Sequence, residues 1–287
     1  PDAVLDNALD RHGDPYPRGD PRHARSFDQI EEDVKAVTPQ QLRDFHQRFY
    51  GASYAQFGAV GDFDVAAVRT ALDGAFGDWK SPMPFTRVPR PLIAPPPARL
   101  VFETPDKQNA VFGARQYVPL NDLDDEYPAF MLANFILGSG GDSRLWKRVR
   151  EREGLSYDIR SLVSWNNFER NSLWEGSAIF APQNRDKVEL GFREEVTRAL
   201  KDGFMPQEVD AGKKALLNFR RLGRAQDKQL ASQLASNLYL DRTFAISQKV
   251  DDALSRLTAD QVSGVLRKYL KPESFVLGVA GDFRRQP

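Results

Sequence analysis

Residues 138–157, GSGGDSRLWKRVREREGLSY, hold the side chains of this sequence that are best placed to bind or react. A glycine-rich turn over residues 138–141 leads into a short basic helix, and Tyr157 follows three residues after Gly154. Arg150 lies in the last turn of that helix, and its side chain, like that of Tyr157, can donate hydrogen bonds. A glycine-rich turn before a basic helix can also bind phosphate or nucleic acid. Both alternatives are therefore compared with the residues present.

The glycine-rich turn does not match a phosphate-binding loop. Such a loop requires the pattern G-x-x-x-x-G-K-[ST] directly after a strand. Here GSGGDSRL lacks that lysine, follows a helical segment, and places Asp142 where a phosphate would be repelled. These residues exclude a phosphate site of this type.

The basic helix does not indicate nucleic-acid binding either, because its charges are mixed: Arg144, Lys147, Arg148, Arg150 and Arg152 stand against Glu151 and Glu153. The whole chain balances 40 basic against 40 acidic residues, so it has no overall positive field. The longest apolar run, AFMLANFIL, is too short to span a bilayer. We predict neither a nucleic-acid partner nor a membrane span.

An arginine and a tyrosine seven residues apart indicate little by themselves, but the elements between Arg150 and Tyr157 can bring the two side chains together. A helix is predicted over residues 142–153, ended by Gly154 in the left-handed conformation, and a strand follows it. On that strand Leu155, Tyr157 and Ile159 are expected to share one face. The reversal at Gly154 can then bring the guanidinium and the phenol to one place, although a surface arginine and a half-buried tyrosine would give the same pattern.

The chain repeats itself at an offset of 220 residues, since residues 30–63 and 250–283 align without a gap. Thr38 matches Thr258 as the N-cap of an amphipathic helix, and the tripeptide Gly-Asp-Phe closes both copies. Each copy also predicts a strand after the helix, AQFGAV in the first and FVLGVA in the second. The match indicates a tandem duplication of one domain.

The duplication sets the predicted domain boundaries. Residues 1–80 form the C-terminal part of a truncated domain, residues 81–97 a linker, and residues 98–287 a complete domain. Between Pro82 and Pro97 there are seven prolines, which favour an extended, semi-rigid spacer. A proline-rich ligand for a peptide-binding domain is the alternative interpretation of this segment.

The pattern of elements in the complete domain predicts an α+β fold. Candidate strands come in pairs and candidate helices in runs, without strict alternation. This order favours an antiparallel-rich sheet with helices packed on one face, and the duplication places two such domains in tandem.

The segment LGSGGDSRLWKRVREREGLSYDI resembles the pitrilysin/insulinase family of zinc metallopeptidases, which includes the mitochondrial processing peptidases. The shared features are the glycine-rich turn, Ser-Arg-Leu opening the helix, and Arg-Glu ahead of Gly-Leu-Ser-Tyr. The resemblance covers nearly the whole chain, with VGDFD and AGDF similar to the family's terminal strand and turn.

The resemblance implies a role for this region. In the family, an N-terminal half binds zinc through a helical H-x-x-E-H motif and a downstream Glu, and a zinc-less C-terminal half closes over the peptide like a clamshell. That second half contributes an Arg–Tyr pair, which the resemblance places at Arg150 and Tyr157, as donors to the substrate carbonyl and its developing oxyanion. It also implies that Gly138, Ser139, Gly140 and Gly141 bind substrate by shaping the peptide path.

The chain lacks the ligands for that zinc. It has no cysteine, its histidines are His12, His23 and His46, and no H-x-x-E-H occurs in either direction. His12 and His23 lie near Asp14 and Asp20 in a loop that is interpreted as an ordinary polar loop, with a metal site as the alternative. His46 is interpreted as structural. We predict no metal and no cofactor in this chain, with zinc in a missing N-terminal half or a partner subunit.

Two functional hypotheses follow. The first is the zinc-less, substrate-binding C-terminal region of a zinc metalloendopeptidase, inactive alone, with a peptide substrate and a zinc-bearing half or subunit as partners. The second is a non-catalytic scaffold or partner subunit of a zinc-bearing peptidase, and a module that reads proline-rich partners is a third interpretation. The missing cysteines together with the resemblance favour a bacterial periplasmic or secreted location, and a cytoplasmic one stays open.

Overall fold

The computed structural model describes residues 1–284, and the chain divides into two compact units. The first unit combines Pro1–Arg25, Pro89–Asn218 and the chain from Lys249 onward, and the second combines Ser26–Val88 and Phe219–Gln248. Each unit takes segments from both sides of the proline-rich stretch between Pro82 and Pro97. The domain boundaries at residues 80 and 97 stay a prediction.

The first unit is built on a five-stranded sheet whose order is β1-β5-β2-β4-β3. Its strands are β1 (Ala98–Glu103), β2 (Ala110–Val118), β3 (Ser156–Ser164), β4 (Ser172–Phe180) and β5 (Val276–Gly281). Strands β1 and β5 run parallel, and every other neighbouring pair is antiparallel. The predicted α+β fold with an antiparallel-rich sheet is confirmed.

The α-helices are α1 (Asp2–Arg11), α2 (Phe27–Ala36), α3 (Pro39–Phe49), α4 (Val65–Phe76), α5 (Tyr127–Asn134), α6 (Arg185–Asp202), α7 (Pro206–Arg224), α8 (Asp227–Tyr239), α9 (Phe244–Arg256) and α10 (Ala259–Tyr269). Two segments have π-helical hydrogen bonding, Phe135–Ser139 and Trp146–Arg152, and two have 3₁₀ bonding, Pro182–Asn184 and Pro272–Ser274. Within residues 1–284 no helix combines the length and the apolar character that crossing a membrane requires.

The main core lies between one face of the sheet and the helices that follow it. Alternate residues of β2, such as Phe112 and Ala114, join Trp174 of β4 and Phe130 of α5 in this core, as the two-residue period of a strand requires. Packing of these helices on one face agrees with the prediction. In addition, α1 covers part of the opposite face.

Helix α1 lies very close to the centre of the sheet. Its Leu5 and Leu9 pack with Val111 and Val276 in a second, smaller cluster. A Cβ atom added to Gly278 would lie only 2.3 Å from Leu5 Cδ1, so the strand needs glycine there to admit the helix. The side chains of α1 therefore complete the packing on this face of the sheet in the first unit.

Both copies of the repeat begin their helix as predicted. Thr38 accepts a hydrogen bond from the Gln41 N–H at 3.2 Å, and Thr258 accepts one from the Gln261 N–H at 3.3 Å. Each glutamine side chain accepts a bond in return from the threonine N–H, at 2.8 and 2.9 Å. These reciprocal bonds satisfy two N–H groups that the start of a helix would otherwise leave unpaired.

The strand predicted for the first copy, AQFGAV over residues 55–60, does not form. Its counterpart β5 pairs with both β1 and β2, whereas the second unit, which the structure describes throughout, contains no strand to pair with. The segment packs on α8 instead, where a Cβ atom added to Gly58 would lie 2.5 Å from the Ala231 carbonyl oxygen. A strand sequence without a neighbouring strand has no ladder for its backbone groups.

Candidate functional site

The glycine-rich turn joins two helical segments whose hydrogen bonds are of the π type. Phe135–Ser139 precedes the turn and Trp146–Arg152 follows it. In the first, the Gly140 N–H donates to the Phe135 carbonyl at 2.8 Å, five residues back. The helix predicted over residues 142–153 is present, and most of it has π-type hydrogen bonds. Such π segments are rare and frequently accompany functional sites.

The four residues of the turn differ in what surrounds them. Gly138 is buried against β3, where an added Cβ atom would lie 2.2 Å from Ser161 Oγ, and Gly140 is buried against Phe135. Ser139 is half-buried, and Gly141 is exposed with no atom within 4 Å of an added Cβ. Gly138 and Gly140 thus hold the turn on the sheet, while Ser139 and Gly141 reach its surface.

The turn borders a cavity of about 430 Å³. Gly140 and Gly141 form part of its wall with Phe135 and Ile136, and residues of α7, including Gly212, form the opposite side. The glycine-rich turn therefore lies beside an open depression of the surface. Its substrate-binding role stays a prediction.

The Ser-Arg-Leu sequence anchors the start of the second π segment. Ser143 and Leu145 are buried, and the Arg144 guanidinium donates to both carboxylate oxygens of Glu208, at 2.9 and 2.6 Å, and to the Gly203 carbonyl. Burial raises the pKa of Glu208, but the hydrogen bonds from Arg144 and from the Met205 N–H outweigh it and leave that pKa below its usual value. The motif therefore ties the π segment to α7, a role that the sequence did not reveal.

Nearly every charged side chain on the π segment has a partner within the protein. Arg148 pairs with Glu153 at 3.0 Å and with Glu194, and Lys147 lies 3.5 Å from Asp142. The Arg152 Nε donates to the Lys147 carbonyl at 3.3 Å. Several of these pairs are five residues apart, as expected where the backbone bonds also skip five residues.

Arg150 is the exception on this segment. Its side chain is exposed, and its guanidinium lies 5.8 Å from the centroid of the Trp146 ring. The same indole donates to Glu151 at 3.1 Å and stacks on Arg160, so its orientation is fixed. In the described part of the chain Arg150 has no hydrogen bond or ion pair.

Tyr157 occupies a β-bulge at the start of β3. Ser156 pairs with Phe180 and Asp158 with Ile179, so Tyr157 has no partner residue on β4. The prediction that Tyr157 shares a face with Ile159 is wrong, because the extra residue breaks the alternation: Ile159 is fully buried while Tyr157 is 60% exposed. The bulge turns the phenol away from the core.

Arg150 and Tyr157 thus lie on consecutive elements, both facing solvent. Gly154 between them has φ +61°, which confirms the left-handed conformation predicted at the end of the helix. No hydrogen bond, ion pair or ring contact joins the two side chains within residues 1–284, and the phenol, like the guanidinium, has no hydrogen-bond partner there. Both groups are free to donate to an external acceptor.

The three histidines have structural surroundings. His12 Nε2 lies 2.7 Å from the Pro96 carbonyl, and His23 Nδ1 lies 2.8 Å from Asp14 Oδ2. The His46 ring stacks between Tyr50 and Trp79. Across the described residues, no three side chains of His, Cys, Asp or Glu form a group that could hold a metal ion. The residues present therefore do not fit the zinc site of the family that the sequence resembles.

Comparisons with known proteins agree with the fold. The family model described as peptidase M16 inactive domain matches residues 36–216, well over half of the chain. Proteins named as uncharacterized zinc proteases are 26% identical over 87% of this chain in Streptomyces coelicolor and 24% identical over 88% in Mycobacterium tuberculosis. The matches cover 55% and 58% of those proteins, so the chain spans about half the length of these curated relatives.

Solved structures show the same fold. A peptidase M16 inactive domain from Pseudomonas fluorescens superposes with a TM-score of 0.76 at 21% identity, covering 97% of this chain and 65% of that one. A protease from Helicobacter pylori gives a TM-score of 0.69 at 15% identity, over 87% of this chain and 60% of that one. From the family match and the fold, we conclude that this chain belongs to the pitrilysin/insulinase (M16) family of zinc metallopeptidases, in which it matches the domain described as inactive.

Proposed function

We propose that this chain is the zinc-less, substrate-binding C-terminal region of a zinc metalloendopeptidase. Arg150 and Tyr157 would donate hydrogen bonds to the carbonyl oxygen of the peptide bond that is cleaved. One observation carries the proposal: these two exposed donors lack partners among the described residues, beside a segment whose other charged side chains are all engaged.

The chemistry of the pair suits hydrolysis of an amide. When water adds to the carbonyl carbon, the oxygen gains negative charge, and a fixed guanidinium and phenol then bind it more strongly than they bind the neutral carbonyl. Removing one such donor in other enzymes costs about 10²–10³ in rate. Zinc bound by the other half would activate the attacking water, since the described residues of this chain hold no site for it.

The local structure supports a position at the surface for both donors. The Trp146 indole lies under the Arg150 guanidinium, and the hydrogen bond to Glu151 holds that indole in place. The bulge directs Tyr157 outward from β3, whose residues Ser156 and 158–164 pair with β4. Donors held by a rigid scaffold need little reorganisation during the reaction, which is the source of their catalytic effect.

The glycine-rich turn would shape the path of the peptide. Ser139 and Gly141 lie at its surface, and the cavity beside Gly140 offers space for a side chain. The buried Gly138 keeps the turn close to β3, the strand that begins with the tyrosine bulge. In this proposal the turn and the donor pair contact the same substrate.

A non-catalytic scaffold or partner subunit is the second candidate. One relative, 19% identical over 64% of this chain, is named as the non-peptidase homolog YmxG of Helicobacter pylori. In a protein of that kind Arg150 and Tyr157 would bind peptide without turnover or would have no role. A periplasmic or secreted location, also part of our proposal, is compatible with a likeness in fold to the periplasmic protease PqqL of Escherichia coli, with a TM-score of 0.55.

The test combines this chain with a zinc-bearing N-terminal half of the same protein. Cleavage of a quenched fluorescent peptide library is measured for the chain alone, for the zinc-bearing half alone, and for both together. We expect strong cleavage only from the combination, and its loss on metal chelation. Cleavage by this chain alone that survives chelation would refute the proposal, and peptide binding without turnover in the combination would favour the scaffold.

A further inference from the structure

The first unit contains a cavity of about 320 Å³ beside α6, which we call the α6 cavity. It shares no lining residue with the cavity beside the glycine-rich turn. Pockets that bind small molecules usually measure about 300–1,000 Å³ and combine apolar walls with a few polar groups. The α6 cavity fits this description, because large apolar side chains line much of it: Phe112, Phe192, Val196, Phe275 and Leu277.

The aromatic rings of the α6 cavity are held in place by packing. The rings of Phe112 and Phe192 lie 4.8 Å apart between centroids, and the Phe275 ring stacks on Trp174 at 5.1 Å. Phe192 also lies close to Gly176, where an added Cβ atom would be 2.6 Å from Phe192 Cε2. Because these phenylalanines are buried in a close-packed core, the apolar surface that they offer is preformed. A ligand ring placed against them would gain the attraction between aromatic rings in addition to burial.

The charged side chains of the α6 cavity are Arg99, Asp186, Glu189 and Arg193. Both carboxylates are already paired. Arg99 donates to Glu189 through Nη2 at 2.9 Å and through Nε at 3.3 Å, and Arg185 Nε lies 3.1 Å from Asp186 Oδ1. Each acid of the cavity therefore has a cationic partner within the protein.

Arg193 is the charged group of this cavity without a partner. Its side chain is exposed, and within residues 1–284 it forms no hydrogen bond, ion pair or ring contact. Glu189 lies four residues before it and Val196 three residues after it, so all three occupy the face of α6 that lines the cavity. The unpaired charge left at the cavity is thus positive and is carried by a hydrogen-bond donor. A carboxylate, which accepts two parallel hydrogen bonds from a guanidinium, complements it.

We propose that the α6 cavity binds an aryl carboxylate, with its ring against the phenylalanines and its carboxylate at Arg193. At about 30 Å³ for each non-hydrogen atom, the cavity holds a molecule of about ten such atoms. The compound 3-phenylpropionate has this size and joins a ring to a carboxylate by a short linker. The C-terminal phenylalanine of a peptide carries the same two groups at the same spacing, so it is a second source of this chemistry. The site does not include Arg150 or Tyr157, and the inference does not depend on the proposed function.

Calorimetric titration of this chain with 3-phenylpropionate tests the site. We expect a dissociation constant of about 1 mM or below, as for a small ligand with efficient contacts. The alcohol 3-phenylpropan-1-ol and the amine 3-phenylpropylamine keep the ring but lack the negative charge, and they should bind at least about tenfold more weakly. No binding of the acid would overturn the proposal. Binding of the amine as tight as that of the acid would also overturn it, because the carboxylates would then be the recognising groups.

Two substitutions locate the ligand in the cavity. Arg193→Gln should weaken binding of 3-phenylpropionate by about tenfold and leave binding of the alcohol unchanged. Arg256→Gln is the control, since Arg256 is an exposed arginine on α9 with no partner in the described chain. Leu277→Trp should block both ligands, because the larger side chain would fill the cavity, and its urea midpoint shows whether it folds. Equal affinities of the parent and Arg193→Gln for the acid would overturn the proposal whether or not Leu277→Trp folds.

Peptides distinguish the two sources of the ligand. Acetyl-Ala-Ala-Phe with a free C-terminus is compared with its C-terminal amide, and we expect the acid form alone to bind. Tighter binding of this peptide than of 3-phenylpropionate would identify the ligand as a peptide C-terminus, and weaker binding would identify it as a free aryl acid. Either result supports a carboxylate site in the α6 cavity, whereas equal affinities for the peptide acid and its amide would overturn it.

Discussion

At the scale of single residues, Tyr157 and Arg150 differ from neighbouring polar side chains because they have no hydrogen-bond partner among the described residues. A hydroxyl or guanidinium in a folded protein usually finds an acceptor, yet among the described residues neither group has one. Both are exposed, so water satisfies them and their presence costs no stability. Their substitution should therefore change function without changing folding, which separates the peptidase hypothesis from a structural role.

For Tyr157, we expect the substitution Tyr157→Phe to lower kcat of the combined, zinc-bearing protein by about 10²-fold, because one donor to the oxyanion is lost. The urea midpoint should stay unchanged, since the side chain is mostly exposed. Tyr54→Phe, another exposed tyrosine, is the control and should leave turnover intact. Unchanged turnover in Tyr157→Phe would favour the scaffold.

For Arg150, the informative substitution is Arg150→Lys, which keeps the positive charge but loses the planar donor and its contact with Trp146. We expect kcat/KM of the combined protein to fall by about tenfold or more. Arg256→Lys, an exposed arginine on α9 without a partner in the described chain, is the matched control. Equal activity of the two variants would remove Arg150 from the site.

At the scale of elements, the glycine-rich turn and the π segments on either side of it depend on the close contact between Gly138 and β3. We expect Gly138→Ala to destabilise the protein by about 1–3 kcal/mol, because its Cβ would lie 2.2 Å from Ser161 Oγ and β3 would have to move. Gly141→Ala has open space and should shift the free energy of unfolding by about 0.5 kcal/mol or less. Urea unfolding of both variants measures the difference, and equal stabilities would contradict the close contact.

Acid should loosen the junction between α5 and α10. The hydrogen bonds from Lys268 and then Tyr269 lower the pKa of Glu126 in the folded protein. A carboxyl with a depressed pKa contributes stability above its unfolded pKa, about 4.3, and loses it as the pH falls through the lower folded value. We expect the parent protein to lose more stability than Glu126→Gln below about pH 5. Parallel pH profiles in urea unfolding would contradict this link.

The features that the sequence predicted correctly depend on residues that are adjacent along the chain. The N-caps at Thr38 and Thr258 and the left-handed Gly154 follow from a few adjacent residues, and the structure confirms them. The bulge at Tyr157 arises from the register between β3 and β4, which no short pattern encodes. The strand predicted over residues 55–60 failed for the same kind of reason, because a strand exists only beside another strand.

At the scale of the whole molecule, the two copies of the repeat differ in what surrounds them. The second copy of the repeat closes a sheet with β5 and buries its helix under α5, whereas the first copy has neither strand nor cover among the residues that the structure describes. Family membership was evident from short motifs because the residues of the glycine-rich turn and of the segment after it are contiguous in the sequence. The division into two compact units was not evident from the sequence, because each unit combines segments that are far apart along the chain. Helix α1 belongs to the first unit, and residues 219–248 belong to the second.

The two copies also predict opposite responses to the same kind of substitution. Val262→Ala should cost about 1–3 kcal/mol, because it opens a cavity between α10 and the core. Its counterpart Leu42→Ala should change the free energy of unfolding of this chain by about 0.5 kcal/mol or less, although it removes more carbon atoms. Urea unfolding of both variants measures the difference, and equal costs of the two substitutions would contradict the exposure of Leu42 in this chain.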